Sequence, residues 1–389
     1  MKWPLMNNNI TRNDLNKIVE FLNQEPMPIL TNSKKVVEFE KRWSAWVGKK
    51  HSVFLNSGSA ANLLTMSVLR FLSLPQNSKV IVPPLTWVSD IASVLQSELK
   101  PVFCDINLKT LALDEKELEK CSKDARAVFL THVLGYNALT QGILDLCEQN
   151  KLMLVEDVCE SHGATFNGKK AGSFGLISNF SFYYAHHMTS IEGGMICTDD
   201  DLIYQTVRMF RSHGMLREST DDQLKETIFK DFPDLNKDFI FVAPAYNMRS
   251  TEINAVMALN QLDRLDENNL RRKENLDVFL DGLDAKKFYT DFNRIGNSNY
   301  AFTLMLRDKD FATRDKVEIC LNQNSIEFRR GMSGGGNQLR QPYLRGIYNE
   351  AYKKFPNADH VHHFGWYIGN YPELEKEKIN ELTTLLNQI

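Results

Sequence analysis

No stretch of this 389-residue chain approaches the roughly 20 consecutive apolar residues that cross a bilayer. The opening Met1-Lys2-Trp3-Pro4 lacks the apolar run of a secretion signal. Charge of one sign is also missing: 46 Lys and Arg against 49 Asp and Glu leave a net charge of −3. That balance argues against nucleic acid and against an anionic membrane surface as partners. The six cysteines, at 104, 121, 147, 159, 197 and 320, contain no C-x-x-C or C-x-C pair. A zinc or iron–sulfur site therefore has no spacing to rest on, and no metal is expected. Six scattered thiols fit a reduced, cytoplasmic protein.

What is present is an ordinary globular mix, 43% hydrophobic and 24% charged. The length suits a large domain plus a smaller one. From about residue 50 to 200 strand-like and helix-like runs alternate. Strands are predicted at 79–83, 101–106, 127–133 and 152–158, with helices at 87–98, 114–122 and 141–150 between them. Such alternation gives a mostly parallel sheet with helices on both faces, and ligands bind beyond the carboxyl ends of its strands. A helix is expected at 201–213, then a polar excursion over 215–240. A second unit follows, with a long helix, mixed strands and a terminal helix at about 373–388. Ser333-Gly334-Gly335-Gly336 reads as a mobile loop.

Several segments fall at those strand ends. Ser57-Gly58-Ser59-Ala60-Ala61 stands before a helical run, where free N–H groups and the helix dipole suit a phosphate; a plain Ser cap fits too. Trp87, just past a strand, either stacks on a cofactor ring or packs in the core. Glu156-Asp157 ends an apolar strand, and a buried acid there needs a partner. That partner is either a structural cation or a protonated ring nitrogen of a cofactor. Arg329 and Arg330, with the Gly334–Gly336 loop, are candidates for a nucleotide diphosphate. Lys34 and Lys35 read as surface. Asp359-His360-Val361-His362-His363 invites a metal reading only if it lies on a strand, where positions i and i+2 share a face; a polar loop is the alternative.

Ser181-Phe182-Tyr183-Tyr184-Ala185-His186-His187 followed by Glu192-Gly193-Gly194 resembles the S-F-x-x-x-K…E-G-G segment of the DegT/DnrJ/EryC1/StrS sugar aminotransferases. The resemblance covers nearly the whole chain. It takes in Val36-Val37-Glu38-Phe39-Glu40, Ser57–Ala61, Glu156-Asp157, Ser161-His162-Gly163-Ala164, Arg211-Ser212-His213-Gly214 and Tyr246-Asn247-Met248-Arg249. Ala245 departs from the glycine that usually precedes the last of these. The family uses pyridoxal 5′-phosphate (PLP), held by the lysine, and here His186 stands in the lysine's place.

The resemblance implies an α/β, aspartate-aminotransferase-like fold (fold type I). A large domain with a mostly parallel sheet and an N-terminal arm would span 1–249, and a smaller C-terminal α+β domain 250–389. It implies cofactor contacts at Gly58, Ser59, Trp87, Asp157, Glu160, Ser181 and Asn247. The Asn would reach the phosphate of the other subunit in a homodimer with shared active sites. His213 and Arg249 become candidate substrate contacts, and His187 either packs or touches substrate. Histidine followed by E-G-G is similar to the family's sugar-nucleotide 3-dehydratases, and Glu160 fits that group. Imidazole cannot form the lysine's imine. The cofactor would then work as pyridoxamine 5′-phosphate (PMP), with His186 moving the proton. The expected reaction removes the C3 hydroxyl of a nucleotide-linked 4-keto-6-deoxy sugar, and glutamate regenerates PMP. Gly336-Asn337-Gln338-Leu339-Arg340-Gln341-Pro342-Tyr343 looks more like the CDP-sugar dehydrases that need a reductase partner. Their close cysteine cluster is missing here. A non-catalytic sugar-nucleotide-binding relative is the remaining alternative.

Overall fold

The computed structural model describes residues 2–389. Its first two helices, α1 (Arg12–Leu22) and α2 (Lys34–Val47), precede strand β1 (His51–Leu55). Helix α3 (Gly58–Leu72) follows, then β2 (Lys79–Val82), α4 (Val88–Gln96), β3 (Lys100–Phe103), α5 (Glu115–Ser122) and β4 (Ala127–Thr131). Next come α6 (Gln141–Gln149), β5 (Met153–Asp157) and the small hairpin β6 (Thr165–Phe166) and β7 (Lys169–Lys170). Strands β8 (Ile177–Ser181) and β9 (Gly194–Thr198) complete the large sheet, followed by α7 (Asp201–Arg211) and α8 (Asp222–Asp231). The remainder is α9 (Glu252–Leu262), α10 (Leu265–Gly282), β10 (Ala301–Met305), α11 (Phe311–Gln323), β11 (Phe328–Arg330), α12 (Pro342–Tyr348), α13 (Pro356–Phe364), β12 (Gly365–Gly369) and α14 (Lys376–Asn387).

The large sheet has the order β1-β9-β8-β5-β4-β2-β3. Pairs β2/β3, β2/β4, β4/β5 and β5/β8 are parallel, and β9 runs antiparallel to both of its neighbours. Six of the seven strands therefore point the same way, and their carboxyl ends share one edge. Both faces are covered, which is why β4 (Ala-Val-Phe-Leu-Thr) is buried at every position instead of alternating. Several helices start where a side chain can take an orphan N–H: Ser57 accepts from Ala60, Thr140 from Ile143 and Asp200 from Ile203. Helix α2 has no side chain of its own to do this. Glu252 supplies the acceptor from 216–219 residues away, taking the N–H groups of Ser33 and Val36 on one oxygen and of Lys35 on the other.

The second unit is a three-stranded antiparallel sheet, β10-β12-β11, packed on α10, α11 and α14. The boundary expected at 249/250 is not where the cores divide. Ala255, Ala258, Leu259, Leu262 and Leu265 pack with Trp43, Phe180 and Phe182 of the large unit. The N-terminal arm crosses the other way: Trp3 is buried in the small unit's core and its indole N–H donates to Gly369 O at 2.9 Å. Helix α9 follows α2 because its apolar face is needed there. The small core begins with the inward side chains of α10.

Two local expectations are corrected. The His360–His363 run lies on helix α13, so successive histidines diverge instead of sharing a strand face. His360 bonds Leu306 O at 2.8 Å and His362 bonds Gly335 O at 3.2 Å. Among the described residues no group of three or more His, Cys, Asp or Glu side chains is arranged to hold a metal ion. The Ser333–Gly336 run is a packed turn: Ser333 is buried, and a Cβ on Gly334 would meet Thr86 O at 2.4 Å. No helix among the described residues is long and apolar enough to cross a membrane.

Candidate active site

The carboxyl edge of the sheet gathers several of the residues that the sequence singled out, among them Gly58, Trp87, Asp157, Ser181 and His186. The two acids ending β5 point to opposite faces, as neighbours on a strand must. Glu156 faces the structural side. It accepts N–H groups from Gly172 (2.8 Å), Phe174 (2.9 Å) and Gly175 (2.6 Å) and the His132 Nε2–H at 3.2 Å. Burial alone would raise its carboxyl, but these donors outweigh it and hold it below the ordinary range. Asp157 faces the other side, only 3% exposed. It accepts from Asn62 Nδ2 at 2.9 Å and from the Cys159 N–H at 2.8 Å. Among the described residues no Lys, Arg or His forms an ion pair with it.

Beside Asp157 stands the start of α3. A Cβ on Gly58 would come within 2.5 Å of Ser181 Cβ and 3.1 Å of Cys159 Sγ, so glycine alone fits between the helix start and the end of β8. A Cβ on Gly194 would strike Ser57 O at 2.1 Å, and Gly194 pairs with both Leu55 and Ser181. The Glu192-Gly193-Gly194 run thus gives the Ser57-Gly58-Ser59 turn its seat. Ser59 is exposed at the open end of the helix, where N–H groups await an anion. Trp87 caps α4 and is 50% exposed, so its ring belongs to no core.

His186 lies in the turn after β8, half-buried, its ring 5.7 Å from Tyr300 and 6.2 Å from His162. Burial pushes the imidazole down to about 4, with Asp157 pulling it back up. It is therefore a neutral base at neutral pH, further from 6.5 than an unperturbed ring. Its carbonyl takes a bond from Asn9 Nδ2 at 3.2 Å, so the N-terminal arm steadies this turn. His187 takes the packing alternative. It is 1% exposed, its ring 5.5 Å from His162 and 6.0 Å from Tyr300, turned away from the open side.

Glu160 accepts from the Leu134 N–H and from Ser333 Oγ, both at 3.0 Å. Burial pushes it up to about 7, these two bonds oppose that, and Asp157 adds to it. Ser333 and Tyr300 escaped the sequence reading, because nothing local in a Gly-rich turn or an Asn-Ser-Asn-Tyr loop marks a residue that packs across from another unit. Arg329 and Arg330 separate by strand alternation. Arg330 turns to Glu318 (3.1 Å), which also holds the Trp366 indole at 2.9 Å, and its side chain remains exposed. Arg329 stays exposed on the side of Tyr367, whose hydroxyl burial and Glu160 push up to about 12. His213, Asn247 and Arg249 form a separate group. His213 is exposed with its N–H on Tyr246 O at 2.5 Å, and Arg249 Nε donates to Asn247 Oδ1 at 3.2 Å. None of the three meets Asp157 within this chain; the segment instead runs beside β1, through a Leu55–Arg249 bridge.

The site fits a flat, phosphorylated, nitrogen-containing ring: an unpaired buried acid, an exposed indole, an anion-ready helix start and a seated base. Fold and site together define an α/β protein of the aminotransferase type that works with PLP or PMP. Residues 8–387 match the DegT/DnrJ/EryC1/StrS aminotransferase family, and the chain belongs to it. It is 28% identical over 394 residues to a GDP-4-keto-6-deoxy-D-mannose 3-dehydratase of Yersinia pseudotuberculosis, covering 100% of this chain and 99% of that one. A structure of a GDP-4-keto-6-deoxymannose 3-dehydratase with a trapped PLP-glutamate geminal diamine superposes with a TM-score of 0.87 at 28% identity, covering 99% and 100% of the two chains. A histidine-to-asparagine variant of such a dehydratase, with bound GDP-perosamine, gives 0.85 at 27% identity, covering 99% and 100%.

Proposed function

We propose that this chain is a PMP/PLP-dependent 3-dehydratase that removes the C3 hydroxyl of a nucleotide-linked 4-keto-6-deoxy sugar, with glutamate restoring PMP. The observation that carries the reading is His186, a neutral base placed where the family's lysine would stand. The solved dehydratases bind PLP, glutamate and a GDP-sugar, which supports the same partners here.

When bound as PMP, the cofactor supplies an amine for the keto carbon and a ring that accepts electrons. Asp157 would hold the ring nitrogen, Trp87 would cover one face, and Gly58, Ser59 and Ser181 would receive the phosphate. His186 would be the group that moves the proton between cofactor and the departing C3 hydroxyl; an imidazolium with an acidity near 4 would be a strong donor to that hydroxyl. Glu160, poised near 7, is able to give a hydrogen bond below that pH and only to accept above it. Arg329 and Arg330, both exposed, are the cations this reading offers to a diphosphate.

Asn247, Arg249 and His213 serve the site of a second copy in a homodimer. They are at least partly exposed and lie beside β1, which leads directly to the phosphate turn. A cytoplasmic location suits the six free cysteines. The test is the mass of the product after incubation with PLP, glutamate and GDP-4-keto-6-deoxymannose. Loss of one oxygen with release of ammonia supports dehydration; an amino sugar overturns the role given to His186. The same assay with CDP- and dTDP-linked 4-keto sugars identifies the nucleotide.

A further inference from the structure

Beneath Asp157 lies a second acid that the proposed reaction does not use. Asp90, in the first turn of α4, is 0% exposed. Among the described residues neither Asp90 nor Asp157 forms an ion pair, yet they share a donor. Asn62 Nδ2 reaches Asp90 Oδ1 at 2.8 Å, Asp157 Oδ2 at 2.9 Å and Ser89 Oγ at 3.0 Å. On its other side Asn62 Oδ1 accepts from Asn179 Nδ2 at 2.9 Å, and turning the amide over would only point that oxygen at both acids. Two adjacent ionised carboxylates in a dry interior without a cation are strongly disfavoured.

The other oxygen of Asp90 locates the missing proton. Oδ2 forms a closed triangle with the hydroxyls of Thr86 and Thr131: Thr86 to Asp90, Thr86 to Thr131 at 2.8 Å and Thr131 to Asp90 at 2.6 Å. Three edges need three hydrogens. Two hydroxyls supply two, and the third comes from the carboxyl. With that proton Asp90 donates to Thr86, Thr86 to Thr131 and Thr131 back to Asp90, while Oδ1 accepts from Asn62. Other titratable groups near Asp90 are Cys159 and Tyr343, both neutral and neither a cation.

We infer that Asp90 is a positioning residue that acts as a neutral carboxylic acid, tying Thr86, Thr131 and Asn62 into one buried unit. Asp157 is thereby left as the single negative charge facing the cofactor's ring nitrogen. Burial and the nearness of Asp157 both favour the protonated form of Asp90. The unit also holds the backbone just before Trp87, so both the charge below the ring and the indole over it depend on the same hydrogen bonds. The inference rests on reading Asp157 as the ring-nitrogen partner.

The first test needs no cofactor: the infrared difference spectrum of wild-type protein minus Asp90→Asn, with carbon-13-labelled aspartate, at neutral pH. A protonated-carboxyl band lost in the variant is expected; loss of a carboxylate band alone overturns the inference. The second is PLP affinity followed by absorbance. Asp90→Asn keeps the neutral charge and a donor, and is expected to bind within about twofold of wild type. Asp90→Leu removes both and is expected to bind at least about tenfold more weakly, with an altered bound-PLP spectrum. Tenfold weakening in Asp90→Asn, or none in Asp90→Leu, overturns the positioning role. If Asp157→Asn binds PLP like wild type, the reading of Asp157 fails, and the infrared result alone decides the protonation of Asp90.

Discussion

At the scale of single residues the chemistry rests on side chains whose ordinary acidities have been moved. His186→Asn removes the base while keeping the volume, and turnover is expected to fall on the order of 10²–10⁴-fold in a product-formation assay. Glu160, pushed up to about 7, is half ionised at neutral pH. Glu160→Gln is expected to flatten any change in cofactor affinity between about pH 6 and 8, followed by absorbance titration. Its raised value also means that the folded chain holds this proton more tightly than the unfolded one. The group thus favours folding below 4.5, and the benefit fades as pH rises through about 7. The residues that stand together at the carboxyl edge of the sheet could be picked out in the sequence because each motif carries its chemistry in its letters. Direction was not. Which of Arg329 and Arg330 meets Glu318, and which of His186 and His187 is fully buried, depends on strand alternation and on one turn's backbone.

At the scale of elements, the alternating strands and helices between residues 79 and 157 lie within a few residues of their predicted places. Each strand there is short and mainly apolar, and α5 and α6 begin at capping side chains, Asp114 and Thr140, so local signals and tertiary demands agree. The α2 start is the contrary case. Its cap is Glu252, brought from the far side of position 249, and no local pattern announces it. Glu252→Ala is expected to cost about 1–3 kcal/mol in thermal or denaturant unfolding, since three N–H groups lose a buried acceptor. Gly58→Ala tests the phosphate turn. The new methyl meets Ser181, so weaker PLP binding is expected, with little change in the far-ultraviolet spectrum of the folded protein.

At the scale of the molecule, imidazoles held neutral by burial shape the response to acid, three of them around the site. His162 and His187 are pushed well below 6.5 and His186 to about 4, in each case by burial first. The unfolded chain takes up these protons as pH falls through 6.5, whereas the folded chain resists. Their contribution is therefore complete above 6.5 and is lost progressively below it. Scanning calorimetry is expected to give a melting temperature that falls between about pH 7 and pH 5. A replacement of His162 by a neutral aromatic of similar size is expected to soften that fall. The domain boundary was the least legible feature at this scale. Composition does not change where the cores divide, and both the N-terminal arm and α9 cross the expected line.

The bond between Ser333 and Glu160 spans 173 residues. A ribosome delivers the two ends far apart in time, and folding of a growing chain proceeds broadly from its first-made part. The helix start at Gly58, the acid at 157 and the seat around Ser181 and Gly194 are all available once the large sheet is made. Ser333 and Arg329 emerge only afterwards. On the proposed function, a nascent chain thus acquires the residues assigned to the coenzyme before those assigned to the sugar.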